Sequence, residues 1–221
     1  MKIITAAVGY SEQFKKGFTG HLRATGYTGD ITILDWTVNT LPFFTQRTKS
    51  YMLTLEGLVN NGYTGTVMTC DSRDVLFQKN PEGIQHSNLD FFLEDAGQVI
   101  GKCPYNSGWI KNGFGDDELK KLYNKTISCA GVVIGYAKEM LNLYKTMWSY
   151  MEKDPSINDQ GLHNYLLYNG IIKPRVVDNE DGEVYTVHYV KYLRIKHHKI
   201  FNAKGNMPTI VHQYDRHIRE L

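Results

Sequence analysis

An apolar run at residues 66–70 (TVMTC), bounded by glycine turns, ends in Asp71-Ser72-Arg73-Asp74. Two carboxylates at such a place are equipped for one kind of chemistry. In open α/β sheets ligands bind outside the carboxyl ends of the strands. A divalent ion held there by Asp71 and Asp74 would bridge the phosphate oxygens of a nucleotide, since Mg²⁺ and Mn²⁺ take carboxylate oxygens and keep positions free. The same spacing fits a helix start, with Asp71 as N-cap and Asp74 in the first turn ahead of Val75-Leu76-Phe77. Arg73 would pair with either carboxylate on the surface. Spacing alone leaves both readings open.

Two further clusters carry polar chemistry. Asp159-Gln160-Gly161 and Asn164 open a helical pattern in which Asn158 or Asp159 caps and the following residues face a crevice. Near the other end, Val211-His212-Gln213-Tyr214-Asp215-Arg216-His217 is a strand end rich in ionisable groups. His212 is there either a metal ligand or a hydrogen-bonded interior histidine.

The elements that must position these residues alternate. Strand-like runs at residues 2–8, 30–37 and 66–70 are separated by helical patterns at 11–25 and 44–60, the βαβαβ rhythm of a parallel sheet. Residues 91–93 are apolar, 103–115 form a glycine- and asparagine-rich stretch, 116–123 a short helix and 127–135 a strand. A long amphipathic helix follows over 138–151; its stripe of Met140, Leu143, Tyr144, Met147 and Met151 is a core face. Residues 158–168 are helical, 176–177 and 183–190 are strands around a turn at 178–182, and 210–211 is a last short strand. Without repeats or a linker, a single α/β domain over residues 1–221 is the economical expectation.

Composition excludes several classes. A net charge of +2 over 221 residues selects no polyanion, and the one basic stretch, KYLRIKHHK at 191–199, reads as a solvated face or as cover for an anionic ligand, not as a nucleic-acid surface. No apolar run reaches the ~20 residues that span a bilayer, so no membrane insertion is expected. Cys70, Cys103 and Cys129 form neither C-x-x-C nor an even framework, which argues for a reducing compartment and against zinc. Neither a dinucleotide fingerprint nor a P-loop occurs.

Taken together, CDSRDVLFQKNP, ISCAGVVIG, NDQGLHNYLLY and PTIVHQYDRH, in this order and spacing, resemble a GT-A glycosyltransferase of the nucleotide-diphospho-sugar transferase superfamily. Within it they are similar to the domain that chlorella viruses encode for building capsid glycans. The resemblance covers nearly the whole chain. It implies a GT-A, Rossmann-like fold with a mixed, mainly parallel central sheet flanked by helices. It implies a metal site for Mn²⁺ or Mg²⁺ made by Asp74, Asp71 and His212, although the two aspartates stand one residue further apart than in the family's aspartate-x-aspartate motif.

The implied reaction is transfer of a hexose, of the glucose or rhamnose class, from a UDP-sugar to a glycan or glycoprotein acceptor with retention of configuration, in the cytoplasm (the host's, if viral). Val8 and Tyr10 would form the base-binding edge and Arg47 or Lys49 a further positive contact. Ala130 and Gly131 would line the donor pocket, and Asp159 and Gln160 would act on the sugar. No carboxylate belongs to a motif that marks it as acceptor base. A non-catalytic sugar-nucleotide or glycan-binding module is the alternative from another class.

Overall fold

The computed structural model describes residues 1–36 and 41–217. The expected rhythm is present: β1 (Lys2–Ala6), α1 (Glu12–Ala24), β2 (Asp30–Leu34), α2 (Phe43–Asn60) and β3 (Thr66–Asp71). Ser11 caps α1 by accepting from Phe14 N–H at 3.2 Å, and Gly26, at φ +87°, turns the chain out of it. β2 stops at Leu34, short of the expected 30–37, and Thr37 lies outside the described residues.

Next come β4 (Val75–Phe77), β5 (Leu89–Leu93), α3 (Pro104–Phe114), α4 (Asp116–Leu122), β6 (Ser128–Tyr136), α5 (Ala137–Met151), α6 (Asp159–Tyr168) and β7 (Arg175–Val177). The central sheet runs β2-β1-β3-β6-β5-β7. Three of its pairings, β1 with β2, β1 with β3 and β5 with β7, are parallel; only β6 runs against its neighbours. The fold is therefore α/β with a mixed, mostly parallel six-stranded sheet, compatible with a Rossmann-like arrangement. Because the chain winds from β1 to β2 and then crosses to β3, the order reverses beside β1, and the crevice at a ligand-binding switch point opens between β1 and β3.

Both faces of the sheet are covered. Val67, Phe91 and Val133 pack with Tyr51 and Leu55 of α2 and Met140 and Met147 of α5. Ile3, Met68 and Ile134 pack on the other side with Phe18 and Leu22 of α1, and with Phe77 and Ile210. The methionine stripe of α5 is core, as its spacing implies.

Two segments differ from expectation. The glycine- and asparagine-rich stretch at 103–115 is mostly helix α3, started by Pro104 and held by buried Ile110 and by Phe114, which stacks on Tyr165 at 3.8 Å. Tertiary packing overrides the poor propensity of its glycines. The strand expected over 183–190 shrinks to β8 (Val184–Thr186), which joins β4 and β11 (Ile210–His212) in a small sheet ordered β4-β11-β8. Between them, β9 (Arg194–Lys196) and β10 (Lys199–Phe201) form an exposed hairpin turned by His197 and His198 at positive φ, which is the solvated face read from KYLRIKHHK. Among the described residues no helix is long and apolar enough to cross a membrane.

Candidate metal and nucleotide site

The capping alternative for Asp71 and Asp74 fails because no helix follows them. Val75–Phe77 is β4, and its antiparallel pairing with β11 sets His212 opposite Val75. Gln213 N–H donates to Asp74 C=O at 2.7 Å, which locks the register. Asp71 is the last residue of β3, opposite Ala6 of β1. The small sheet thus folds the far end of the chain back onto the aspartate turn.

The result is a cluster of hard donors. Asp71, Asp74 and His212 each offer one ligand atom, all within 4.8 Å of one another. His212 Nε2 lies 3.5 Å from Asp71 Oδ2 and 3.8 Å from Asp74 Oδ1, and the nitrogen is buried without a hydrogen-bond partner. An orphaned buried imidazole nitrogen is costly in water-free surroundings. A single divalent ion would satisfy it together with both carboxylates, and two carboxylates with one imidazole suit Mg²⁺ or Mn²⁺ without choosing between them. On the other side of the ring, Nδ1 faces the Cys129 thiol at 3.5 Å.

Charge in the cluster follows its neighbours. Burial alone would raise the Asp71 carboxyl, but Arg47 and His212 bring it down to about 2. Asp74 goes the other way: burial raises it, and His212 only partly offsets this. Burial opposes charge on His212, yet Cys129, Asp71 and Asp74 outweigh it and raise its pKa. Protonation and metal ligation would therefore compete for the same His212 nitrogen.

Gly131 leaves room for this cluster. A Cβ there would run into the Cε1 and Nε2 of His212 and come within 2.8 Å of Asp71 Oδ2. Residues 130–131 belong to an irregularity in β6, where the pairing with β5 jumps from Val133 to Cys129. Gln160 clamps the distortion: its side-chain oxygen accepts from Ala130 N–H at 2.7 Å and its nitrogen donates to Ser128 C=O at 2.7 Å. Asn164 bonds both backbone groups of Ser128 at 2.9 Å.

A cavity of about 600 Å³ opens over the cluster. Tyr10, Arg47, Asp71, Asp74, Ala130, Gly131, Asp159, Gln160 and His212 all line it, so six separated sequence segments converge. Two expected contacts do not. Lys49 points away, with its ammonium 5.1 Å from the Trp148 ring, because two residues carry it about 200° around α2 from Arg47. Val8, half-buried after β1, is not in the wall.

Three roles also change. Arg47 is not a free cation: its Nη1 donates to Asp71 Oδ1 at 2.7 Å and its Nε to Asp159 Oδ2 at 3.1 Å, with Nη2 closing a second bond to Asp159. It ties α2 to the ends of β3 and α6. The cap of α6 is Asn158, whose side chain accepts from Gln160 N–H at 2.9 Å, which leaves Asp159 free to pair with Arg47. Gln160 spends both ends of its amide on the β6 backbone, so its oxygen is not aimed at a reacting carbon.

Glu94 was not legible as a site residue from any motif. β5 is parallel to β3, since both run against β6, and Glu94 follows its last residue, Leu93. Its carboxyl therefore reaches the same sheet edge as Asp71 and lines the same cavity. Burial pushes it up to about 7, against the pull of His212 and Cys129. The strand-end rule finds it only once β5 is known to run parallel to β3. Tyr105 and Trp109 of α3, with ring centroids 6.0 Å apart, complete the opposite wall beside Tyr189.

No protein-family model matches the chain, and a search of curated proteins finds no match either.

Proposed function

We propose that the protein is a metal-dependent glycosyltransferase that moves a hexose from a UDP-sugar to a glycan acceptor. The observation that carries this is the orphaned His212 nitrogen facing Asp71 and Asp74 at the strand-end crevice. Such a centre suits a diphosphate. Asp71, Asp74 and His212 would hold Mn²⁺ or Mg²⁺, which as a Lewis acid stabilises charge growing on the leaving phosphate.

The chain's own residues do the rest. Arg47 keeps Asp71 ionised and oriented, and through Asp159 fixes the start of α6 beside the cavity. Asp159 retains acceptor capacity for sugar hydroxyls on its cavity side. Tyr10, stacked on Phe14 at 4.2 Å, presents a ring at the β1 end of the cavity where a uracil base would lie. Glucose and rhamnose remain the leading sugars by resemblance.

Calorimetry of UDP and UDP-glucose with and without Mn²⁺ tests the reading. Binding should require the ion, and Asp74→Asn should lower ion-dependent affinity at least tenfold while the melting curve stays cooperative. Ion-independent binding, or an unaffected Asp74→Asn, refutes it.

A further inference from the structure

His212 has two ring nitrogens, and the metal site uses only one of them. Nε2 faces Asp71 and Asp74 at 3.5 and 3.8 Å and has no hydrogen-bond partner. Nδ1 faces the Cys129 sulfur at 3.5 Å, within hydrogen-bonding reach of sulfur. An imidazole binds an ion only through a nitrogen that carries no proton, so in the neutral ring the proton sits on the other one. The group that accepts that second N–H fixes both the tautomer and the direction of the ring. Carboxylates and backbone carbonyls usually fill this place; here it is a thiol.

The thiol is held firmly. Cys129 is 5% exposed and His212 1%. Cys129 stands at the irregularity of β6, opposite Phe92 where the register jumps, and both of its chain neighbours are clamped by α6. Gln160 and Asn164 donate to Ser128 C=O at 2.7 and 2.9 Å, and Gln160 accepts from Ala130 N–H at 2.7 Å. The Glu94 carboxyl, after β5, faces the same thiol, so the S–H has an acceptor of its own and the sulfur lone pairs are left for the ring. Cys129 is not among the donors that converge on the ion position.

We propose that Cys129 is a positioning residue for the ion: its sulfur accepts the Nδ1–H of His212 and so presents Nε2, unprotonated, to a divalent cation held with Asp71 and Asp74. This rests on the metal-site part of the reading above. It also gives the break in β6 a purpose, since the clamps on Ser128 and Ala130 set where the sulfur lies.

The test uses the full chain and the metal alone, with UDP added afterwards. In calorimetry with Mn²⁺, Cys129→Ala, which removes the acceptor, should weaken binding by about tenfold to a hundredfold, while Cys129→Ser, which keeps one, should stay within about threefold of wild type. Nitrogen-15 NMR of histidine-labelled, Mg²⁺-loaded wild-type protein should place the His212 proton on Nδ1, a result that needs no variant. The Co²⁺-loaded protein should show no sulfur-to-cobalt charge-transfer band.

Wild-type Mn²⁺ affinity in Cys129→Ala overturns the proposal, as does an equal loss in Cys129→Ala and Cys129→Ser. A His212 proton found on Nε2 overturns it too, because the thiol would then be donating to Nδ1. A charge-transfer band would make Cys129 a ligand in its own right and refute the positioning role. Wild-type protein that shows the expected Mn²⁺ pattern but binds no UDP supports the proposal and removes the glycosyl-transfer reading; wild-type protein that binds no divalent ion removes both.

Discussion

Glu94→Gln should stabilise the metal-free protein above neutral pH, and by a calculable amount. In the folded chain the carboxyl titrates at about 7; unfolded, it returns to its ordinary 4.5. The folded state therefore holds the Glu94 proton more tightly. As pH rises from 4.5 to 7 the unfolded chain releases this proton and the folded chain does not, so stability falls across that window and stays low above it. The gap corresponds to about 3 kcal/mol at ~1.4 kcal/mol per tenfold change.

Glutamine keeps the shape and never ionises. The two proteins should match near pH 4 and diverge through pH 5–7, and at pH 8 the variant should melt roughly 6–12 °C higher, on the ~2–4 °C per kcal/mol of a chain this long. Urea or thermal melts in EDTA across pH 4–8, read by circular dichroism, would follow it. A constant difference at all pH values, or a less stable variant at pH 8, would refute a desolvated and uncompensated Glu94.

Two further substitutions separate the parts of the site. Gly131→Ala places a methyl group against His212 and Asp71; it should weaken Mn²⁺ affinity tenfold or more by calorimetry and cost about 1–3 kcal/mol in a urea melt through overpacking, and unchanged affinity would show that the cluster does not hold the ion. Gln160→Ala strips partners from Ala130 N–H and Ser128 C=O and should cost about 1–3 kcal/mol in a urea melt; a wild-type melt with reduced turnover would return Gln160 to the sugar.

Much of the sheet could be read from local pattern. The runs that became β1, β3 and β6 are apolar, and the helices between them carry a cap or a core stripe, so period and punctuation agree. α3 escaped because its helix depends on Ile110, Phe114 and the close approach of Gly161 to Trp109, 2.9 Å from a would-be Cβ, none of which is local. In the site, residue type and strand-end position made Asp71, Asp74 and His212 candidates, but only the resemblance, and then the pairing of β4 with β11, favoured a shared cluster over capping. What sequence does not carry is direction within a helix and commitment within a network. Just over half a turn separates Arg47, in the wall, from Lys49, on Trp148, and Asp159 and Gln160 are chemically able residues whose partners are already chosen by Arg47 and β6. Glu94 lacked a motif and became visible only once β5 was known to run parallel to β3.

The small sheet has a consequence for the order of events in folding. β4 follows the aspartate turn at once, but its partner β11 arrives only after α6, β8 and the basic hairpin have been made. Closing so long a loop is slow relative to forming the β1–α1–β2 unit. Asp71 and Asp74 are neighbours in sequence from the start, whereas His212 joins them only when the final strand docks. Under the proposed metal reading, tight binding would report completion: an ion would be retained once the final strand has docked, and retention would in turn favour that docking by mass action.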